Sequence, residues 1–250
     1  MGVHIDSVVD YQEYNAPHPY TRRMWAGGSF AWPRRSETDR ALKIGNQVIE
    51  KRSIAKIEYK PKGDMVFFHQ QRTIYNVGLQ DQEDNWGVKE IRTHVFRPPS
   101  SSPPITITST NSHSTPDATA KTQKAPEAKY TKPDISFTYT PSSPLLFRYS
   151  ALTFNAHKIH YDHPHTLSHE QQPTLLVHGP LTATLLIELA VQAGKETGKD
   201  LVGFEYRAVG PIFVDQQCEL FGWWDGAGGV LELEARQGER LGMRATANFV

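Results

Sequence analysis

The sequence predicts an α+β protein built from two units, and three observations carry that expectation. Leu181, Leu185, Leu186, Leu189, Ala190 and Ala193 fall at helical spacing, with Ala183, Ile187 and Val191 between them and a narrow polar stripe of Glu188, Gln192 and Lys195. A helix apolar nearly all round is buried rather than laid on a surface. After it, residues 201–209, 213–224, 230–236 and 241–249 form strand-like runs separated by turn residues, an antiparallel meander. One buried helix against one face of such a sheet is an α+β arrangement. A second meander occupies the first half of the chain, and a Ser/Thr/Pro-rich stretch separates the two.

Each element has its local reason. Residues 1–24 are polar and aromatic without a clear period and read as an irregular arm. A strand opens at Arg22-Arg23-Met24-Trp25, and Gly27-Gly28 bends it. The glycine pair lacks the Lys-Ser/Thr partner of a phosphate loop. Residues 48–59 alternate loosely through Ile49, Ile54 and Ile57, and Lys60-Pro61-Lys62-Gly63-Asp64 is a turn. Residues 65–76 and 86–96 supply two more strands. No strong central helix is visible in residues 1–97, so the N-terminal unit is expected to be shortened. Residues 98–133 have almost no large apolar side chains and cannot bury enough surface to offset ordering entropy, which predicts a flexible linker. Residues 134–250 form the second unit. In it 135–139 is a short strand, and Leu145-Leu146-Phe147 leads to a polar cluster. Pro180 suits the first turn of the long helix, Gly179 can cap its start, and the Gly198 region closes it. Asp225-Gly226-Ala227-Gly228-Gly229 is a hairpin loop.

Composition narrows the function. The 250 residues carry a formal net charge of +0, and the pI is about 7.2, so nothing points to nucleic acid or an anionic membrane surface as partner. The one cysteine, Cys218, leaves no intrachain disulfide and no multi-cysteine metal site, which fits a reducing compartment. No apolar run approaches the roughly 20 residues of a membrane span. The N-terminus has neither a secretory nor a transit pattern. A cytoplasmic location is therefore expected, with mitochondrial and peroxisomal locations left open.

The chemistry concentrates in two neighbouring segments. One runs Tyr149-Ser150-Ala151-Leu152-Thr153-Phe154-Asn155-Ala156-His157-Lys158-Ile159-His160-Tyr161-Asp162; the other is Val177-His178-Gly179-Pro180 at the helix start. A histidine and an asparagine held near free N–H groups of a helix N-terminus make a proton-transfer site with an oxyanion hole. By spacing alone the same residues equally fit a polar turn with a helix cap. His157, His160, His163 and His165 are dense in sequence, yet a catalytic grouping accounts for the first two without zinc. No metal and no cofactor are expected.

These segments resemble the MaoC-type, or (R)-specific enoyl-thioester hydratase, family. In that family an aromatic residue leads into Ser-Gly-Asp-x-Asn-Pro-Leu-His-x-Asp, and His-Gly-Met opens the central helix of a hot-dog fold. The form Thr153-Phe154-Asn155-x-His157-Lys158-Ile159-His160-Tyr161-Asp162 is similar to one branch: mesaconyl-CoA and itaconyl-CoA hydratases and mitochondrial-type 3-hydroxyacyl-thioester dehydratases. Arg22-Arg23-Met24-Trp25-Ala26-Gly27-Gly28 resembles the opening strand of the N-terminal hot-dog unit in that branch. The resemblance implies a double hot-dog with two antiparallel sheets, a long central helix in the C-terminal half and a shortened N-terminal half.

The implied activity is reversible hydration of a 2-enoyl thioester, or dehydration of the 3-hydroxyacyl thioester, carried on CoA or an acyl carrier. His160 falls on the catalytic histidine, and Asn155 falls where the family usually has an aspartate. Gly179 falls on the glycine whose N–H holds the thioester oxygen. Tyr149, Asp162, His178 and Arg207 are assigned to the substrate pocket, Arg207 because Tyr206-Arg207-Ala208 resembles a stretch lining the cleft. Asparagine can place water but cannot take its proton, so His160 is left as the acid/base. Two units in one chain imply a monomeric pseudo-dimer or a homodimer. Two alternatives stand beside this expectation: a repurposed hot-dog lyase or cyclisation catalyst using the same histidine, and a noncatalytic acyl-binding scaffold.

Overall fold

The structure is a computed structural model that describes residues 18–20, 22–34, 36–37, 39–80, 84–98 and 132–250. Most of the expected N-terminal arm, and the expected linker except its end residues, lie outside the described residues.

Four strands come first: β1 (Arg22–Ala31), β2 (Val48–Lys60), β3 (Met65–Asn76) and β4 (Val88–Arg97). The second half holds β5 (Ile135–Tyr139), α1 (Ser143–Thr153), α2 (His163–Ser168), α3 (Gly179–Thr197), β6 (Leu201–Ala208), β7 (Cys218–Trp224), β8 (Val230–Gln237) and β9 (Arg240–Phe249). The described residues before 132 form no helix. The fold is α+β with antiparallel pairing throughout, in the order β2-β3-β4-β1-β6-β9-β8-β7-β5.

That order changes one expected detail. The two antiparallel sheets are halves of one nine-stranded sheet. The join is β1 against β6, with Gly28 opposite Tyr206 and Phe30 opposite Phe204. Both strands would otherwise present unpaired N–H and C=O groups along an edge, and pairing satisfies them.

The core lies in the second half. Helix α3 is 19 residues long, and its Leu181, Leu186, Leu189, Ala190 and Ala193 are buried. They pack with Phe204, Leu220, Leu231, Leu233 and Met243. The helix starts one residue earlier than expected, with His178 as N-cap, Gly179 in the first position and Pro180 in the second. Gly198 ends it in the left-handed conformation (φ 69°), which glycine adopts without a Cβ penalty.

The same sheet face continues across the join with a different chemistry. Gly28 is flanked by Arg92 and Tyr206, and Phe30 by Glu90 and Phe204. Further out, Arg92 is opposite Gln70 and Glu90 is opposite Arg72. Because strand side chains alternate, these residues share the face that α3 covers. It is apolar on β6, β8 and β9, and its middle is charged on β3 and β4, so the described residues of the first half offer no continuous apolar bed for a second helix like α3.

Two local readings change. Helix α1 occupies residues expected only to lead into the polar cluster. The Ser142 side chain accepts from the Leu145 N–H, and Pro144 sits in the first turn, a start signal that the sequence carried. The run at 213–224 is a strand only from Cys218. Asp215 is left-handed (φ 60°), and the Gln237 side chain takes both the Phe213 N–H and C=O at 2.8 Å, where a neighbouring strand would have bonded.

Candidate active site

The site is assembled from four short pieces around the start of α3. Helix α1 ends at Phe154 in the left-handed conformation (φ 53°), and the Asn155 N–H donates to Ser150 O at 2.9 Å. Asn155 Oδ1 then accepts from the His157 N–H at 3.1 Å, the side-chain turn asparagine favours. A short 3-10 turn, Lys158–His160, follows. Two hydrogen bonds fasten it to the segment entering α3: the Leu176 N–H donates to Ile159 O at 3.1 Å, and His160 Nδ1 lies 2.8 Å from Leu176 O.

That last bond determines the tautomer. A carbonyl oxygen can only accept, so Nδ1 carries the proton and Nε2 of the neutral ring keeps its lone pair. No described residue hydrogen-bonds Nε2. Burial pushes the His160 imidazole down to about 4, against the opposing pull of the Leu176 carbonyl, and His157 adds to the lowering. The ring is therefore neutral at pH 7.

His178 supports it from beneath. It is fully buried, its ring stacks on that of His160 with centroids 3.6 Å apart, and its Nε2 lies 2.9 Å from Ser150 Oγ. Its Nδ1 is buried without a partner among the described residues. Burial, then the neighbouring His160 and His157, hold this imidazole at about 3. The Tyr149 ring lies 4.8 Å from His178, and burial raises its hydroxyl above the ordinary range. No side chain caps the first turn of α3, so the Gly179 N–H at its start is open to an acceptor.

The first half supplies the opposite wall. A Cβ on Gly179 would lie 3.2 Å from Trp25 Cδ1, so the indole of β1 rests against the helix start. Trp25 Nε1–H donates to the Tyr206 hydroxyl at 3.0 Å, His94 meets the indole edge-on at 4.9 Å, and the Arg92 guanidinium lies 5.8 Å from the ring centroid. Arg23 Nη2 is 3.5 Å from His157 Nε2. Burial, with Arg23, Arg92 and His157 nearby, keeps His94 at about 3.

The structure thus gathers Tyr149, His160, His178 and Gly179. Asn155 stands at the base of the loop, with its carboxamide oxygen on the His157 amide. Asp162 caps α2, its Oδ1 accepting from the His165 N–H at 3.0 Å and its Oδ2 lying 3.9 Å from Lys158 Nζ; the group orienting His160 is the Leu176 carbonyl. Arg207 is exposed on β6, alternating with buried Phe204 and Tyr206, and so faces away from the site. Among the described residues, no three of His, Cys, Asp and Glu come together as metal ligands. Ser150, Trp25, His94 and Arg92 were missed as site residues. Trp25 lay in a motif already singled out, whereas Arg92 gave no local signal.

A long helix on an antiparallel sheet, a stacked histidine pair at its start and a second meander joined to the same sheet define a MaoC-like hot-dog protein. The chain belongs to the hydroxyacyl-thioester dehydratase type 2 family, whose model matches residues 5–214. It is 35% identical over 199 residues to a mesaconyl-C(4)-CoA hydratase of Chloroflexus aurantiacus, a match covering 79% of this chain and 60% of the relative. It is 38% identical over 88 residues to a mitochondrial hydroxyacyl-thioester dehydratase type 2 of Schizosaccharomyces pombe, covering 35% of this chain and 29% of that protein. The chain therefore spans 60% or less of the length of these two relatives. The crystal structure of a MaoC-like dehydratase from Phytophthora capsici superposes with a TM-score of 0.64 at 14% identity, covering 95% of this chain and 74% of that one.

Proposed function

We propose that the protein catalyses reversible addition of water to a 2-enoyl thioester, giving the 3-hydroxyacyl thioester, with CoA or an acyl carrier as the thiol. The observation that carries this reading is the His160 ring. Its Nδ1–H is committed to Leu176 O, so Nε2 of the neutral ring keeps its lone pair available as a base.

A single base suffices. Water adds to C3 as one of its protons passes to His160 Nε2. The negative charge moves to the thioester oxygen, where the Gly179 N–H holds it. The imidazolium then gives that proton to C2, and the ring is neutral again. A free imidazole near pKa 4 is a weak base, but an enolate beside it favours the charged form and raises its basicity during the reaction. Asn155, with Oδ1 engaged, uses its NH₂ group to place the water or hydroxyl. His178 holds the His160 ring in place by stacking, and the Ser150 hydroxyl holds His178.

The test is loss of conjugated 2-enoyl absorbance on adding the protein to crotonyl-CoA and related thioesters. His160→Ala is expected to lower kcat about 10²–10⁴-fold, the scale of general acid–base catalysis. Near-parent turnover in that variant would remove the mechanism.

A further inference from the structure

The charged face of the first half ends at the site, and its last member is Arg92. From the sheet edge inward, Arg52 Nε donates to Glu50, Arg72 donates to Glu50 and, at 2.8 Å, to Glu90 Oε2, and Arg92 Nε donates to Glu90 Oε1 at 2.6 Å. Arg52, Arg72 and Arg92 thus alternate with Glu50 and Glu90 along this row. Glu90 is buried and already paired with Arg72. Nη1 and Nη2 of Arg92 have no hydrogen-bond partner among the described residues.

Its position is directed at the site. The Nε–Glu90 bond and the indole of Trp25 hold the guanidinium. Between Arg92 and Tyr206 stands Gly28, with no side chain to fill the row, and a Cβ there would lie 2.2 Å from Ile91 O and 3.0 Å from the Tyr206 hydroxyl. The Arg92 side chain is 34% exposed, so an incoming ligand can reach it. A guanidinium held at Nε, with both NH₂ groups open, suits two-point contact with a carboxylate or phosphate.

We propose that Arg92 is a specificity residue that binds an anionic oxygen pair of the substrate, either a carboxylate on the acyl group or a phosphate of the carrier. This rests on the thioester reading above and adds the charge of the ligand to it.

The experiment measures equilibrium binding of four freshly prepared saturated thioesters that have no double bond to hydrate, butyryl and succinyl, each on CoA and on N-acetylcysteamine. Wild type, Arg92→Gln and Arg92→Lys are compared, and turnover of the matching 2-enoyl esters is followed separately. If the acyl carboxylate is the ligand, Arg92→Gln weakens both succinyl esters about 10- to 100-fold, the range for a charged hydrogen-bonded pair, and spares both butyryl esters. If the carrier phosphate is the ligand, both CoA esters weaken and both N-acetylcysteamine esters do not. Arg92→Lys, which keeps a cation beside Glu90 and loses the fork, should fall between wild type and Arg92→Gln. Equal weakening of all four esters, or none, overturns the proposal and leaves Arg92 a strut for Glu90 and Trp25. Wild type that binds charge-selectively through Arg92 but turns over no enoyl ester would sink the hydratase reading and leave this one standing.

Discussion

His160 sets the pH dependence of the proposed reaction. Its low pKa of about 4, caused first by burial, means that the free protein holds the neutral ring until the solution is quite acidic. The pH profile of kcat/KM is therefore expected to be level from about pH 5 to 8 and to fall through an acidic limb near 4, since kcat/KM reports the free enzyme. A limb near the ordinary histidine value of about 6.5 would show that the ring is more solvated than this arrangement implies. Asn155 offers the complementary change. Its Oδ1 accepts from the His157 amide, and a carboxylate oxygen can accept the same bond. Asn155→Asp should fold normally, keep or gain hydration activity, and add a second titrating group to the profile. Loss of activity with unchanged thermal stability would mean that the NH₂ donor, which aspartate lacks, is indispensable.

Helix α3 works at the next scale because burial and the proposed catalysis share it. Its start must stay uncapped for the Gly179 N–H to serve an acceptor, so its stability has to come from side-chain packing. Leu186 is fully buried in that packing. Leu186→Ala is expected to cost about 2–5 kcal/mol, the range for removing a large aliphatic side chain from a tight core, read as a shift of the urea midpoint without a change in slope. A cost below about 1 kcal/mol would mean that the cavity collapses freely and the helix bed is softer than its burial suggests. Helix α1 contributes differently: its Ser150 reaches the buried His178 at 2.9 Å, and so couples the first helix of the second half to the ring beneath His160.

Across the whole molecule, one fully buried and two half-buried histidines bias stability against acid. His94, His160 and His178 lie at about 3, 4 and 3 in the folded chain, each lowered chiefly by burial. An exposed histidine in the unfolded chain titrates near 6.5. Below that pH the unfolded chain binds more protons than the folded one, so stability falls as pH drops from about 6.5 towards 4, by up to about 1.4 kcal/mol per pH unit for each ring. Above about pH 7 this contribution is complete. The urea midpoint should hold steady from pH 8 to 7 and decline between pH 6.5 and 5, before most carboxylates titrate. A level midpoint across that lower window would show that the rings are protonated in the folded state.

Elements whose residues speak locally were legible in the chain alone. The apolar period of residues 181–193, the Gly-Pro start and Gly198 specified α3. The alternation at 230–236 and the glycine-rich turn before it specified the hairpin of β7 and β8. The motif from Tyr149 to Asp162 located the loop that carries His160. The Ser142 cap of α1 is equally local, but the apolar run beside it is the stronger signal. Tertiary structure decided what those elements meet. The β1–β6 join pairs Gly28 with Tyr206, residues so far apart in the chain that no local period relates them. That join brings Trp25 to the start of α3 and points the charged row ending in Arg92 at the site. The same pairing turned Arg207 to the outer face, whereas Asp162 was claimed locally, as the cap of the helix that starts beside it. A side chain's role depends on which backbone groups and charges lie opposite it, and long-range strand pairing sets that.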